Sequence, residues 1–217
     1  MSKKILLVCS GVFHPNLWAQ RVLKKTLTEL PGFSFVQVKN MDKLPAIDLR
    51  EFAGMVLYYH DKTISPDALQ AFVSYVENGG GVLAVHGASA SFKKEEKYFE
   101  VLGGRFVEHG KVENFELLPN SDADDIFGQG VRFTVYDEIY RHEYDADNTI
   151  HYYVEIEGGE NTKNILLKEP IVWTRVYGNG RVCYCALGHT ASALKQPQSQ
   201  TILRRGLQWI SGSRLDV

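Results

Sequence analysis

Glu77-Asn78-Gly79-Gly80-Gly81-Val82-Leu83-Ala84-Val85-His86-Gly87-Ala88 carries a helix end, a strand and a strand end in one short stretch. Three successive glycines stop the helix, because glycine enters the left-handed conformation without a Cβ penalty. Val82 to Val85 is an unbroken apolar run, as expected of a strand covered on both faces. The glycines precede a strand rather than open a helix, which is the wrong geometry for a phosphate-binding loop. Upstream, Ser65-Pro66 reads as a helix start, with Ser as N-cap and Pro at the first helical position. Between them, Leu69, Phe72, Val73 and Val76 form an apolar stripe at helical spacing.

The same alternation extends towards the N-terminus. Ile5 to Cys9 and Met55 to Tyr59 are further apolar runs, and Phe33 to Val38 is a strand between them. A helix is expected from about Asn16 to Leu30, with Ala19, Val22, Leu23, Thr26, Leu27 and Leu30 facing inward and Pro31-Gly32 ending it. Strands alternating with helices imply βαβ units, a parallel sheet and right-handed crossovers. After about Gly104 the character changes. Val112–Leu118, Phe133–Tyr144, Ile150–Ile156, Ile171–Tyr177 and Arg181–Leu187 read as strands. Turns such as Asn148-Thr149, Gly158-Gly159 and Gly178-Asn179-Gly180 separate them, so antiparallel hairpins are expected beside the parallel sheet. A last helix runs from about Ser199 to Ile210. No linker or repeat interrupts the 217 residues, and one α/β domain is the expectation.

Composition narrows the function classes. The 24 basic and 26 acidic residues give a net charge of −2, and no basic block argues for nucleic acid. No stretch approaches a membrane span, and the N-terminal segment lacks the features of a secretory signal, so a cytoplasmic protein is expected. The three cysteines, Cys9, Cys183 and Cys185, fall inside expected strands and suit core packing rather than a disulfide. The 11 Tyr and 11 Phe supply core, and aromatics also line pockets for sugars and other small molecules. Exposed edges among the later strands would need covering, which makes a homodimer an expectation.

The histidines carry the chemical signal. His14 follows the first strand, His60 the third, His86 the fourth, and His189 the late strand ending at Leu187. In an open parallel α/β sheet, ligands bind outside the carboxyl ends of the strands. Parallel strands would therefore deliver these imidazoles to one edge. A single histidine at a strand end is ordinarily structural, and it is the convergence of four that raises a shared site. Two histidines and a carboxylate suffice for a divalent site with an open position. No HExxH spacing is present.

A second segment, Tyr136-Asp137-Glu138-Ile139-Tyr140-Arg141-His142-Glu143-Tyr144, mixes carboxylate, phenol and imidazole. As one strand it would project Glu138, Tyr140 and His142 from one face and Asp137 and Arg141 from the other. Acid–base chemistry is one reading; a solvated hairpin face with cross-strand charge pairs is the other, and spacing alone favours the latter.

Taken in order, Glu77 to Ala88, Asp137-Glu138-Ile139-Tyr140, Pro170 to Val182 and Leu187-Gly188-His189-Thr190 resemble the ThuA family of trehalose-utilisation proteins. The resemblance implies a class I glutamine amidotransferase-like fold, a three-layer sandwich with a mostly parallel sheet. It places His86 where that superfamily carries its nucleophilic cysteine, and His189 at the later histidine. An imidazole there cannot form the thioester of cysteine-dependent glutamine hydrolysis. The resemblance further implies carbohydrate catabolism, with a disaccharide or 3-keto glycoside as substrate and hydrolase or lyase chemistry.

The expected pocket has His86 and His189 at its floor, with His60 and Glu138 nearby. His86, Glu138 and His189 are the expected metal ligands and catalytic groups, for a divalent ion such as zinc or manganese. His14, His60, Tyr140 and Trp173 are the expected substrate contacts. A non-catalytic sugar-binding module on the same fold is the alternative.

Overall fold

The computed structural model describes residues 2–10, 17–123, 125–128, 130–157 and 166–214. The N-terminal half is built as the alternation dictates. Strands β1 (Lys3–Cys9), β2 (Phe33–Val38), β3 (Gly54–Tyr58) and β4 (Gly81–Val85) alternate with helices α1 (Leu17–Thr28) and α2 (Pro66–Glu77). Every residue of β3 and β4 is buried, as unbroken apolar runs require. Ser65 caps α2 by accepting from the Ala68 N–H, and Pro66 is the first helical residue. Gly79 takes φ +103° beyond the helix end. Gly81 is fixed by packing: a Cβ there would come within 2.0 Å of the Ile210 carbonyl oxygen.

After β4 come α3 (Glu96–Leu102), β5 (Gly104–His109), β6 (Glu113–Pro119), β7 (Phe133–Asp137), β8 (Tyr140–Tyr144), β9 (Thr149–Glu157), β10 (Leu166–Tyr177) and β11 (Gly180–Cys185). Helices α4 (Ala191–Lys195) and α5 (Pro197–Ile210) close the described chain. The main sheet has the order β2-β1-β3-β4-β11-β10-β9-β6-β7. Its first five strands are mutually parallel. From β10 onward the pairing is antiparallel. A separate two-stranded ribbon pairs β5 with β8. Helices α1, α4 and α5 pack together, and α2 packs with α3. These two helix groups supply the cover that strands buried on both faces need.

β11 runs parallel to β4, with Cys185 beside Val85. The two strands therefore end level with one another, and the residues after them leave on the same edge. Cys9, Cys183 and Cys185 are buried and free, as expected.

One expected element is corrected. Phe133–Tyr144 is not a single strand: it divides at Glu138-Ile139 into β7, in the main sheet, and β8, in the ribbon. The cause lies about fifty residues downstream. The Asp137 carboxylate accepts the Gly188 N–H at 2.7 Å and the Thr190 N–H at 2.9 Å, and the Thr190 hydroxyl donates to the Tyr136 carbonyl at 2.6 Å. These bonds pin the end of β7 to the loop after β11, and the next residue turns inward. The solvated hairpin face is corrected with it, since Asp137, Glu138, Tyr140 and His142 are all buried. The sequence reading also left α3, α4 and β5 unassigned.

Candidate metal centre at the strand carboxyl edge

His86 is the first residue after β4 and begins a 3-10 turn over His86–Ala90. It is completely buried and has φ +48°. A non-glycine residue in this left-handed region is strained and persists only where its surroundings fix it, a pattern concentrated at functional sites. Here the surroundings are explicit. The His86 Nδ1 lies 2.9 Å from the Ala186 carbonyl, just beyond β11. The Tyr184 hydroxyl donates to the His86 carbonyl at 2.9 Å. Gly188, at φ +146°, passes so close that a Cβ would stand 2.9 Å from the His86 Cβ.

A carbonyl oxygen only accepts, so the contact with Ala186 fixes the His86 tautomer with hydrogen on Nδ1. The Nε2 lone pair then faces inward. It accepts from the Tyr140 hydroxyl at 3.1 Å and lies 4.0 Å from Glu138 Oε2. The same Glu138 oxygen is 3.2 Å from His189 Nδ1, while its partner Oε1 is 3.5 Å from His109 Nδ1. The rings of His86 and His189 meet edge to face, 5.7 Å between centroids. Three separate segments thus converge: the end of β4, the break between β7 and β8, and the loop after β11.

His86, Glu138 and His189 each offer one ligand atom, and these atoms all lie within 4.8 Å of one another. Two ligands about 2.1 Å from a common divalent ion stand at most about 4.2 Å apart, so a sub-ångström adjustment brings the set into range. Glu138 Oε2 is buried and accepts no hydrogen bond. A buried carboxylate oxygen facing two imidazoles, one of them with its second nitrogen tied to a carbonyl, is the donor chemistry of a divalent site. The trio could therefore hold a metal. The approach is from the side of His189 and His109, whose side chains are 30 % and 44 % exposed, whereas His86 forms the floor.

Behind the floor lies a buried polar network. The Tyr184 hydroxyl is 2.7 Å from Ser89 Oγ and 3.2 Å from His142 Nε2, and the His142 N–H donates to Glu169 at 3.0 Å. Burial holds the His142 imidazole below its ordinary value, with Glu169 opposing the shift. Burial also pushes the Asp137 carboxyl up to about 7, against the backbone N–H groups of Gly188, Thr190 and Glu138 that favour its charged form. Asp137 touches none of the three donors; it holds the segments that carry Glu138 and His189.

The other expected contacts are placed as follows. Tyr140 lies under the trio, its ring 4.2 Å from that of His86. His60 is exposed and lines a neighbouring cleft with Ala90 and Phe92. Trp173 is fully buried, stacked on Tyr184 at 4.2 Å with its indole N–H donating to the Leu102 carbonyl. It backs the floor and has no open face. His14 lies outside the described residues. His109 was not singled out from the sequence, because its strand Gly104–His109 carries no clear alternation; the one available signal was a histidine at a strand end.

Comparisons with known proteins agree with this architecture. The model of the ThuA family, described as trehalose utilisation, matches residues 4–210. Among curated proteins none matches. A ThuA-like protein of Parabacteroides merdae is similar with a TM-score of 0.84 at 22 % identity, over 100 % of this chain and 93 % of that one. A ThuA-like protein of Bacteroides uniformis gives 0.77 at 17 % identity, over 96 % and 91 %. A β-galactosidase of Bacillus circulans gives 0.65 at 13 % identity, covering 99 % of this chain but 32 % of the enzyme, so the fold also occurs as one part of a longer protein. With a family match across nearly its whole length, the chain belongs to the ThuA, trehalose-utilisation family.

Proposed function

We propose that this protein acts in carbohydrate catabolism on a disaccharide or 3-keto glycoside, as a metal-assisted hydrolase or lyase. The observation that carries the reading is the convergence of His86, Glu138 and His189 around a floor imidazole whose tautomer is set by Ala186. A divalent ion such as zinc or manganese, held by those three, would supply Lewis-acid polarisation of a keto oxygen or an activated water. The chain's own groups do the rest. Tyr140 donates to the His86 Nε2 lone pair in the metal-free site and would yield that lone pair to the ion, turning its phenolic proton towards a bound ligand; burial keeps that phenol protonated well above its ordinary range. His109 stands half-exposed beside Glu138, placed to pass a proton between the site and solvent. His86 at the floor excludes water from the β4 side.

Glutamine hydrolysis through a cysteine is outside this reading. Position 86 has an imidazole in place of a thiol, and the three cysteines are buried within strands. Burial raises the thiols of Cys9 and Cys183 and pushes Cys185 up to about 12. None of them is an available thiolate at neutral pH.

Metal analysis of purified protein combined with a turnover screen on oxidised and unoxidised disaccharides tests the proposal. The expected result is one bound divalent ion and turnover of a keto glycoside, both lost in His86→Ala and His189→Ala. Metal-free protein whose turnover survives both substitutions contradicts it. Binding of a sugar without turnover would leave the non-catalytic module standing instead.

A further inference from the structure

Beside the trio, on the same edge of the sheet, is a cleft of about 520 Å³ lined by His60, Asp61, Lys62, Ala90, Phe92, Lys93 and their immediate neighbours Thr63 and Lys94. That volume suits a small organic ligand. We propose that this cleft is a subsite for the anionic group, phosphate or carboxylate, of a sugar-sized ligand whose other end reaches the trio. It rests on the carbohydrate reading above for the ligand's sugar part.

Charge points to the ligand class. Lys62, Lys93 and Lys94 are exposed, and Asp61 is the one acid among the described residues of the wall. Among the described residues none of the three ammonium groups lies within ion-pair distance of a carboxylate. Three cations facing one carboxylate across a cleft favour an incoming anion. The floor is apolar, with Phe92 at 2 % and Ala90 at 7 % exposure. A cationic rim over an apolar floor matches a ligand with an oxyanion at one end and a carbon skeleton behind it.

The cleft is also held rigid. Phe92 has φ +50°, the second strained non-glycine residue of the described chain after His86. Its N–H donates to the Asp61 carbonyl at 3.0 Å, and the Ser91 hydroxyl accepts the Asp61 N–H at 3.2 Å. These bonds lock the loop after β3 to the end of the His86–Ala90 turn. Strain retained at the first residue of the His86–Ala90 turn and again two residues beyond its end marks a segment whose shape is specified.

The cleft is linked to the trio through one ring, that of Phe106. The Lys93 ammonium sits 5.5 Å from the Phe106 ring centroid. Phe106 in turn packs against Tyr140 at 4.5 Å and His109 at 5.9 Å. A ligand anchored at Lys93 therefore lies one aromatic ring from the groups that surround Glu138. Lys93 and Lys62 also act on the half-exposed His60 imidazole: partial desolvation holds it below its ordinary value, the Ala90 backbone and Asp61 oppose that shift, and the two lysines add to it.

Calorimetric titration of the full chain with glucose 6-phosphate, glucuronate, inorganic phosphate and glucose tests the subsite, with the His60 ring followed by NMR. The two sugar anions are expected to bind with one equivalent and glucose at least about tenfold more weakly, since charge-assisted contacts carry the difference. Lys93→Gln and Lys94→Gln, both at exposed positions, each weaken the anions by roughly tenfold. The His60 titration moves up when an anion is bound. Inorganic phosphate competing at the same lysines supports the subsite and assigns its selectivity to the oxyanion. Equal binding of charged and neutral probes, or anion binding unmoved by both lysine substitutions, overturns it. Zinc titration of the same samples separates the two readings. Zinc uptake without anion selectivity sinks the cleft alone, and anion selectivity without zinc uptake sinks the metal centre alone.

Discussion

The His86 ring and the Ala186 carbonyl face each other at 2.9 Å across the ends of two adjacent parallel strands. This contact sets which nitrogen of the floor histidine looks into the site. It also holds His86 in a backbone conformation that its side chain disfavours, at φ +48°. The same bond thus serves geometry and chemistry.

The backbone strain is separable from the ring. His86→Gly and His86→Ala both remove the imidazole, but only glycine relaxes the left-handed backbone. The glycine variant should be more stable than the alanine variant by about 1–2 kcal/mol. Paired urea denaturation curves measure the difference. Equal stabilities would mean that φ +48° carries no cost here.

Much of the fold was legible because its determinants are local. Ser65-Pro66 starts α2 and Gly79 ends it through chemistry within one turn, and the apolar runs of β1, β3 and β4 need no distant partner to be recognised. The convergence of His86 and His189 was legible from topology, because parallel strands end on one edge. The break at Glu138-Ile139 was not. It depends on Asp137 accepting from Gly188 and Thr190, and no residue near Asp137 announces that pairing. Trp173 shows the complementary failure: an aromatic in a family motif was read as a sugar contact, yet β10 lies inside the sheet and the indole is core. His109 escaped notice because Gly104–His109 shows no clear alternation, its burial fading along the strand instead of alternating.

Asp137 should behave as a positioning residue. Asp137→Asn keeps its shape but turns one acceptor into a donor facing a backbone N–H. The expected outcome is a stability loss of about 1–3 kcal/mol. Metal affinity should also fall by roughly 10–100-fold, as for groups that orient ligands from outside the coordination sphere. Zinc titration beside denaturation checks both. Full metal affinity in a destabilised variant would confine Asp137 to structure.

His142 predicts a pH dependence of stability. Its folded value is depressed by burial, so between that value and about 6.5 the unfolded chain binds more protons. Its contribution is complete above about 6.5 and is lost as pH falls through that window. Asp137, raised to about 7, works in the opposite sense, with stability lost as pH rises towards 7. Comparing wild type with His142→Gln isolates the histidine. The wild type should lose more stability between pH 7.5 and pH 5 than the variant, and parallel curves would remove His142 as a contributor.

The cysteines make a prediction about reactivity. Each is at most 1 % exposed and has a raised thiol. Native protein should release almost no chromophore from a disulfide reagent at pH 8, and three equivalents after unfolding. Rapid labelling of one thiol in the native state would show a sulfur open to solvent and reopen cysteine chemistry.

Crystals grown with one equivalent of zinc, and measured on both sides of the zinc absorption edge, bear most directly on the metal centre. A single anomalous peak bounded by His86 Nε2, a Glu138 oxygen and a His189 nitrogen is the expected result, with the His86 Nδ1 still on the Ala186 carbonyl. No peak there, or a peak elsewhere while the three side chains keep their present arrangement, would contradict it.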